Sequence, residues 1–276
     1  MFDRIEAWCT RLSWDHSAAT VTGYRYEIVR FQKSIGSLEV NADRLFEHLC
    51  TLPLSVRYRA ANALKSFLRF VDRADLADAI TLPLRDTGKP GRTLTPEQVL
   101  SVLMACDTSS PLGKRDVALQ ALLIDSGLRA AEVCRLEMSQ VDLNARLLWV
   151  KVKGGQTGFG SFGLEVANCL SAWYSVRKST MPYVFTALHH DRALTPDGLR
   201  TIFHRIGKVA GLPHYSPHDL RRTFATIASL LGAPPRVLQV AGRWENLGMV
   251  ERYTASIRAK QIEAYLPISC IMRGAI

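Results

Sequence analysis

One segment of the chain combines an imidazole and a guanidinium at the start of an expected helix. His218 and Arg221 are three residues apart in the run SPHDLRRTF, so they share one face of a helix. Ser216 is a typical N-cap, Pro217 suits the first helical position, and Asp219 suits the capping carboxylate. The free N–H groups and the positive dipole end of such a helix favour an anion. The segment predicts a phosphate site, although the same spacing is also common on solvated helices.

Two further segments contain residues with possible chemistry. Arg129 follows a helix-ending glycine in DSGLRAAEVCRL, and Glu132, three residues later, could orient it. Trp244 precedes Tyr253 by nine residues in AGRWENLGMVERYTA. Taken alone, each has a structural explanation: a local Arg–Glu pair, a core tryptophan and a half-buried tyrosine.

Taken in chain order, these segments and the run VKGGQTGFG form a specific set. The set resembles the pattern of the tyrosine recombinase (phage-type integrase) family. That pattern is Arg, a Lys in a β-hairpin, His-x-x-Arg, His or Trp, and then a nucleophilic Tyr. The resemblance covers most of residues 90–255, and the matching residues are Arg129, Lys153, His218, Arg221, Trp244 and Tyr253.

The sequence departs from the family pattern at three places. Arg222 stands where many members have His, and Trp244 replaces the commoner His. A tryptophan donates one hydrogen bond through its indole N–H but cannot carry a proton. The strand after the hairpin turn is GFGSFGL, where many relatives are rich in Lys and Arg. Lys153 therefore fits the lysine position best, and Lys151, on the same strand face, is the fallback.

The resemblance implies a transesterification of DNA. Tyr253 would attack a phosphodiester, while Arg129 and Arg221 would hold the non-bridging oxygens. His218 would accept the phenolic proton, Trp244 would hydrogen-bond the phosphate, and the lysine would protonate the leaving 5′-oxygen. The product would be a 3′-phosphotyrosyl link, which conserves the phosphodiester energy, so no ATP, metal or other cofactor is expected.

The resemblance also implies the partners. They are double-stranded DNA with a specific recombination site, further copies of the chain in a homo-tetramer on synapsed DNA, and an accessory or second recombinase; no membrane is involved. The segment after Tyr253 could pack on a neighbouring copy or on its own domain. Basic residues in the two halves are candidate DNA-backbone contacts, with a solvated surface as the alternative: Lys65, Arg69, Arg92 and Arg222.

Composition excludes several other classes. The 276 residues carry a formal net charge of +10, which suits a polyanionic partner. No apolar run reaches the roughly 18 residues of a membrane span, and the N-terminus lacks a signal core. The six cysteines are scattered, so we expect buried, reduced thiols in a cytoplasmic protein associated with the nucleoid.

The elements that must position these residues divide into two predicted domains. Residues 1–87 form a helical N-terminal, core-binding (SAM-like) DNA-binding domain, and residues 88–276 form a mixed α/β catalytic domain of the DNA breaking-rejoining type, as the resemblance implies. The boundary follows from the Gly- and Pro-containing run LRDTGKPGR at 84–92. Residues 1–85 have 12 Lys and Arg against 10 Asp and Glu, whereas residues 86–276 have 23 against 15.

Periodicity predicts a mainly α fold with a small antiparallel sheet. Apolar spacing favours N-terminal helices at 18–35 and 56–71. A change of period at 141–164 predicts the antiparallel strands. In the C-terminal part, helices are expected from residue 95 onward and over 115–125, 130–136, 195–210, 217–231, 235–241 and 246–255.

Three other functions remain open from the residues alone. A type IB topoisomerase would use the same chemistry without synapsis. A non-catalytic DNA-binding protein descended from an integrase would bind DNA without cutting it. An unrelated basic helical protein could match the motifs by chance.

Overall fold

The computed structural model describes residues 2–35, 41–82, 91–151, 157–188 and 191–254, excluding the side chains of residues 2 and 252–254. The chain divides into two compact units, residues 1–89 and 90–276. The boundary predicted at residue 88 lies outside the described residues, as does the segment after residue 254. Each unit is described separately.

Helices joined by short turns make up the described residues of the first unit. Two expected helices are confirmed, one with identical bounds and one beginning two residues early; the other helices were not predicted. The core contains Trp8 of the first helix and Phe67 of the fourth, whose rings meet edge-to-face at 5.3 Å. The helices are α1 (Phe2–Leu12), α2 (Ala18–Ile35), α3 (Ala42–Thr51), α4 (Leu54–Phe70) and α5 (Ala74–Ala79).

A buried ion cluster ties α2 to α4 in this unit. The side chain of Glu27 is fully buried and accepts hydrogen bonds from Arg59, at 2.9 Å from Nε and 2.5 Å from Nη2. Arg30 lies 2.5 Å from its other carboxylate oxygen. The carboxylate is thus compensated on both sides, which is the condition for burying such a charge.

The second unit combines helices with a small sheet, as predicted. Its helices are α6 (Pro96–Met104), α7 (Pro111–Ser126), α8 (Ala130–Arg135), α9 (Leu164–Tyr174), α10 (Pro196–Val209), α11 (Pro217–Leu230), α12 (Pro235–Ala241) and α13 (Leu247–Thr254). The strands β1 (Val141–Asp142), β2 (Leu147–Lys151) and β3 (Thr157–Ser161) form an antiparallel sheet in the order β1-β2-β3.

Capping chemistry sets the ends of the helices that matter for the site. The Thr95 hydroxyl accepts from the Gln98 N–H, and the Gln98 side chain accepts from the Thr95 N–H, so α6 begins with the predicted capping box. Ser216 and Asp219 form the same arrangement at α11. Helix α7 ends at Gly127, whose φ of 56° is the left-handed conformation that glycine adopts without strain.

The core of this unit lies around α7. Helix α7 packs against α9 and α11, and its Leu119, Leu122 and Leu123 are fully buried. Each buried leucine contributes roughly 1.5–3 kcal/mol by leaving water. Helix α7 therefore fixes the position of α11, which carries the His-x-x-Arg motif.

A smaller apolar cluster fixes α13. Ala225 of α11, Leu238 of α12, Trp244 and Val250 of α13 are buried against one another. The helix that carries Tyr253 is thus held to the domain by its inner face, although its first residues are polar or exposed.

The cysteines follow the expectation in part. Cys9, Cys106 and Cys134 are buried and free, and burial raises the pKa of the Cys106 thiol to about 12. Cys50 is exposed, which corrects the expectation of burial, because its position near the end of α3 faces solvent. Within the described ranges, no helix combines the length and apolar character that a bilayer span requires.

Candidate active site

The guanidinium of Arg221 is buried at the centre of the site. The residue is 2% exposed. Its Nη2 donates to the carbonyl of Gly242 at 2.5 Å, and its Nη1 donates to the carbonyl of Gly127. Its Cζ lies 4.6 Å from the centroid of the Trp244 ring. These contacts lock the plane of the fork, which is what a preorganised oxyanion ligand requires.

Arg129 lies at the N-cap of α8 and is more accessible. Its Nη1 donates to Glu132 Oε1 at 2.7 Å, and its Nη2 donates to the carbonyl of Arg243 at 3.0 Å. The backbone N–H of Arg129 also donates to Glu132, at 2.8 Å. The predicted orientation of Arg129 by Glu132 is therefore confirmed, and the Arg129 side chain remains 40% exposed.

The loop between α12 and α13 brings the two arginines together. The adjacent carbonyl groups of Gly242 and Arg243 accept from Arg221 and Arg129 respectively. Two guanidinium groups that are 92 positions apart in the sequence are thus held by consecutive residues. We call Arg129 and Arg221 the arginine clamp. Of the two side chains, that of Arg129 is the one that a ligand can reach from solvent, since it is 40% exposed.

Glu132 balances part of the positive charge beneath the clamp. Burial opposes ionisation of this carboxyl, but the charge of Arg243 and the hydrogen bonds from Arg129 outweigh it and lower its pKa. One carboxylate then pairs with two guanidinium groups, those of Arg129 and Arg243. This excess of positive charge favours an anionic ligand.

His218 lies on the first turn of α11, three residues before Arg221, and is accessible to solvent. Desolvation and the nearby charges of Arg222 and Arg221 lower the pKa of its imidazole, against the opposing charge of Asp219. The ring is therefore mostly neutral at pH 7 and can accept a proton. This is the protonation state that a general base needs.

Trp244 connects the clamp to α13. It is 4% exposed, its ring stacks on Phe224 at 6.3 Å, and it shares a cluster with Val250 of α13. One face of the indole thus meets Arg221, and its surroundings include the helix that carries Tyr253.

The predicted nucleophile and the two candidate lysines are described only in part. Tyr253 lies in the last turn of α13, and its side chain is outside the described part of the chain. Lys151 ends β2, opposite Thr157 of β3, and is exposed. Lys153 lies outside the described residues, so the assignment of the lysine stays a prediction.

Comparisons with known proteins identify the family. The model described as the phage integrase family matches residues 92–260. The chain belongs to this family. The tyrosine recombinase XerC of Oceanobacillus iheyensis is 30% identical over 220 residues, covering 75% of this chain and 72% of that protein. The XerC of Halalkalibacterium halodurans is 28% identical over 280 residues, covering 92% of each chain.

Solved structures of recombinases have the same fold. The site-specific recombinase XerH in a post-cleavage complex is 19% identical, with a TM-score of 0.73 over 89% of this chain and 78% of that one. A lambda integrase dimer on a core site is 13% identical, with a TM-score of 0.75 over 94% of this chain and 78% of that one. The protein is thus a tyrosine-type site-specific recombinase, as the ordered motif predicted.

The four predicted DNA contacts of the recombinase make intramolecular contacts in the structure. Lys65 Nζ donates to the carbonyl of Ile80 at 2.9 Å, and Arg69 pairs with Asp78 at 2.9 Å. Arg92 Nη1 donates to the carbonyl of Pro213 at 2.9 Å. Arg222 lies on the backbone of Gly91, where an added Cβ would be 2.4 Å from Arg222 Nε. Their roles on DNA stay predictions.

Sequence reasoning missed Arg243. The residue stands between Gly242 and Trp244, and its side chain and carbonyl both contact the Arg129–Glu132 pair. The available signal was a charged residue inside the AGRW motif, directly before a candidate catalytic tryptophan. Its burial and its backbone conformation are visible only in the folded chain.

Proposed function

We propose that the recombinase cuts and rejoins double-stranded DNA at a specific site through a 3′-phosphotyrosyl intermediate formed by Tyr253. The observation that carries this proposal is the arginine clamp, held by two consecutive carbonyl groups, with His218 three residues before Arg221 on α11. Family membership and the position of Tyr253 on α13 support it.

The chemical step balances without an external reactant. Tyr253 Oη bonds to phosphorus while its proton passes to His218, and the bond from phosphorus to the 5′-oxygen breaks. The leaving 5′-oxygen takes a proton from Lys153, with Lys151 as the alternative donor. The arginine clamp holds the non-bridging oxygens as they gain charge. Attack of a 5′-hydroxyl on the phosphotyrosyl bond reverses the step and rejoins a strand.

The partners follow from the same proposal. We infer a homo-tetramer on two synapsed DNA sites, with an accessory or second recombinase as a further partner, acting on nucleoid DNA in the cytoplasm. Support for the DNA partner comes from neighbours of the same fold solved on DNA, such as XerH bound to difH and the Tn1549 integrase bound to circular intermediate DNA. Lys65, Arg69, Arg92 and Arg222 are proposed as contacts to the DNA backbone.

Covalent capture tests this function. The protein is mixed with sheared DNA from its source organism, without metal or ATP, then denatured in SDS, and DNA that remains attached is sequenced. We expect reads at one inverted-repeat site with wild type and none with Tyr253→Phe. Tyr174→Phe is the matched control, because the Tyr174 hydroxyl is buried without a hydrogen-bond partner among the described residues.

The other outcomes identify the alternatives. Adducts scattered over all sequences would indicate a topoisomerase-like enzyme. A band shift without any adduct would indicate a non-catalytic DNA-binding protein. Adducts that persist in Tyr253→Phe would contradict the assignment of the nucleophile.

A further inference from the structure

Arg243 occupies an unfavourable position that needs a reason. Its φ of 55° lies in the left-handed region, which costs a residue with a Cβ roughly 1–2 kcal/mol. Its side chain is 4% exposed, and its Nε has no hydrogen-bond partner among the described residues. Burying a guanidinium with an unsatisfied N–H is unfavourable. The contacts of the guanidinium must offset these costs.

The guanidinium of Arg243 joins separate parts of the catalytic unit. Its Nη1 donates to the carbonyl of Phe159 in β3 at 3.2 Å and to the carbonyl of Ala241 at 2.7 Å. Its Nη2 donates to the carbonyl of Ser126 at 3.2 Å and to Glu132 Oε2 at 3.3 Å. One planar group thus contacts the ends of α7 and α12, strand β3 and helix α8.

Strand β3 approaches this side chain closely because it has a glycine there. A Cβ added to Gly160 would lie 3.1 Å from Arg243 Nη1 and 3.0 Å from Leu148 Cδ1. Both distances are tighter than ordinary van der Waals contact. The backbone of β3 is therefore fitted against the Arg243 guanidinium, and β3 is paired along its length with β2, which ends at Lys151.

The backbone of the same residue holds the arginine clamp. The carbonyl of Arg243 accepts from Arg129 Nη2 at 3.0 Å, and its side chain shares Glu132 with Arg129. Removing the Arg243 side chain would therefore release the hairpin, while Arg129 keeps its bonds to Glu132 and to this carbonyl.

We propose that Arg243 is a positioning residue that holds the β2–β3 hairpin, which delivers the general acid, in register with the arginine clamp. The proposal rests on the proposed strand-cleavage function. It assigns Arg243 no contact with DNA; Arg243 acts through Phe159 on the hairpin and through Glu132 and its own carbonyl on Arg129.

Two substrates with different leaving groups distinguish a loss of positioning from a general loss of stability. Wild type, Arg243→Lys and Arg243→Gly are compared on a nicked suicide duplex carrying the captured site, with either a normal 5′-oxygen or a bridging 5′-sulfur at the scissile phosphate. A thiolate leaves without a general acid. General acid catalysis contributes roughly 10²–10⁴-fold. We therefore expect Arg243→Gly to slow cleavage of the oxygen substrate about 100-fold and of the sulfur substrate less than about 10-fold.

Arg177 provides the matched control. It is a second partly buried arginine whose Nε lacks a partner among the described residues, and it donates to the carbonyls of Ser179, Met181 and Tyr183. Arg177→Met should lower the melting temperature and leave the ratio of oxygen to sulfur cleavage unchanged. Arg243→Gly removes the left-handed strain, and Arg243→Lys keeps the charge, so the pair retains a folded variant for the comparison.

The outcomes are separable. Equal slowing on both substrates would overturn the proposal, because it would indicate loss of the clamp or of folding rather than of hairpin alignment. Wild-type rates in Arg243→Gly on the oxygen substrate would also overturn it. Absence of wild-type cleavage on both substrates would instead contradict the proposed function, and Tyr253→Phe defines that baseline.

Discussion

The Arg221 guanidinium carbon lies 4.6 Å from the centroid of the Trp244 ring, so the most buried arginine of the site rests on the tryptophan that precedes α13. A cation over a desolvated indole gains about 2 kcal/mol. The same ring belongs to the apolar cluster that contains Val250 of α13. The positions of Arg221 and of α13, which carries Tyr253, therefore depend on one side chain.

Substitution of Trp244 should separate its packing from its hydrogen bond. Trp244→Ala leaves a cavity and should lower the free energy of unfolding by about 3–5 kcal/mol, with loss of covalent adduct. Trp244→Phe keeps most of the packing but removes the indole N–H, so we expect near-normal stability and slower cleavage. Chemical denaturation and single-turnover cleavage measure the two effects. Wild-type cleavage by Trp244→Phe would contradict a hydrogen bond from the indole to the phosphate.

The pH dependence of cleavage should report on His218. Desolvation and neighbouring arginines lower its pKa below the ordinary value of about 6.5. A base must be neutral to accept a proton, so kcat/KM should be constant near pH 7 and fall as the pH drops through this lowered pKa. His218→Gln should reduce the rate and abolish this fall in kcat/KM at low pH.

The free energy of unfolding should also decrease as the pH falls. Because the folded state disfavours the imidazolium, the unfolded chain binds the proton first, and the free energy of unfolding decreases as pH falls below about 6.5. This decrease should be smaller in His218→Gln. If kcat/KM of His218→Gln falls at low pH as it does in the wild type, another residue is the general base.

Gly127 should be intolerant of a side chain for two separable reasons. Its φ is 56°, and an added Cβ would lie 2.5 Å from Phe224 Cδ1. Gly211 has a φ of 68°, and a Cβ added to it would meet no atom within 4 Å, so it is the matched control. Gly211→Ala should cost only the strain of about 1–2 kcal/mol. Gly127→Ala should cost more and reduce cleavage, because the carbonyl of Gly127 accepts from Arg221. Equal losses in thermal unfolding would contradict the close fit.

The two candidate lysines can be distinguished with substrates that differ in their leaving group. We expect Lys153→Ala to cleave a normal phosphodiester about 100-fold or more slowly and to regain most of its activity with a bridging 5′-sulfur. Lys151→Ala should affect both substrates equally and weakly. Rescue of Lys151→Ala alone would transfer the role of general acid to Lys151, which ends strand β2.

A surface arginine tests the proposed backbone contacts. Arg69 pairs with Asp78, and both side chains are more than half exposed, so a phosphate could replace the carboxylate at small cost. Each phosphate contact contributes about 0.9 to the slope of log affinity against log salt. Arg69→Gln should reduce the magnitude of this slope by about 0.9. Arg200→Gln removes a similar exposed pair with Asp197 and should leave it unchanged. Equal effects of the two variants would indicate net charge rather than a contact.

The sequence by itself determined the local elements and the ordered motif. Thr95, Pro96 and Gln98 specify the start of α6 through neighbours in the chain, and Gly127 specifies the end of α7. Such features depend on a few consecutive residues, so spacing and residue type are sufficient to predict them. The family pattern was likewise visible, because it consists of residue types in a fixed order.

Only the tertiary structure decided how these elements form a site. Arg221 is buried because the carbonyls of Gly127 and Gly242 converge on it from distant parts of the chain. The role proposed for Arg243 depends on its contact with Phe159, 84 positions away. A one-dimensional pattern records residue type and spacing, whereas burial, charge compensation and shared hydrogen-bond partners exist only when separate segments pack together. That is why the catalytic candidates were predictable and the residue proposed to align them was not.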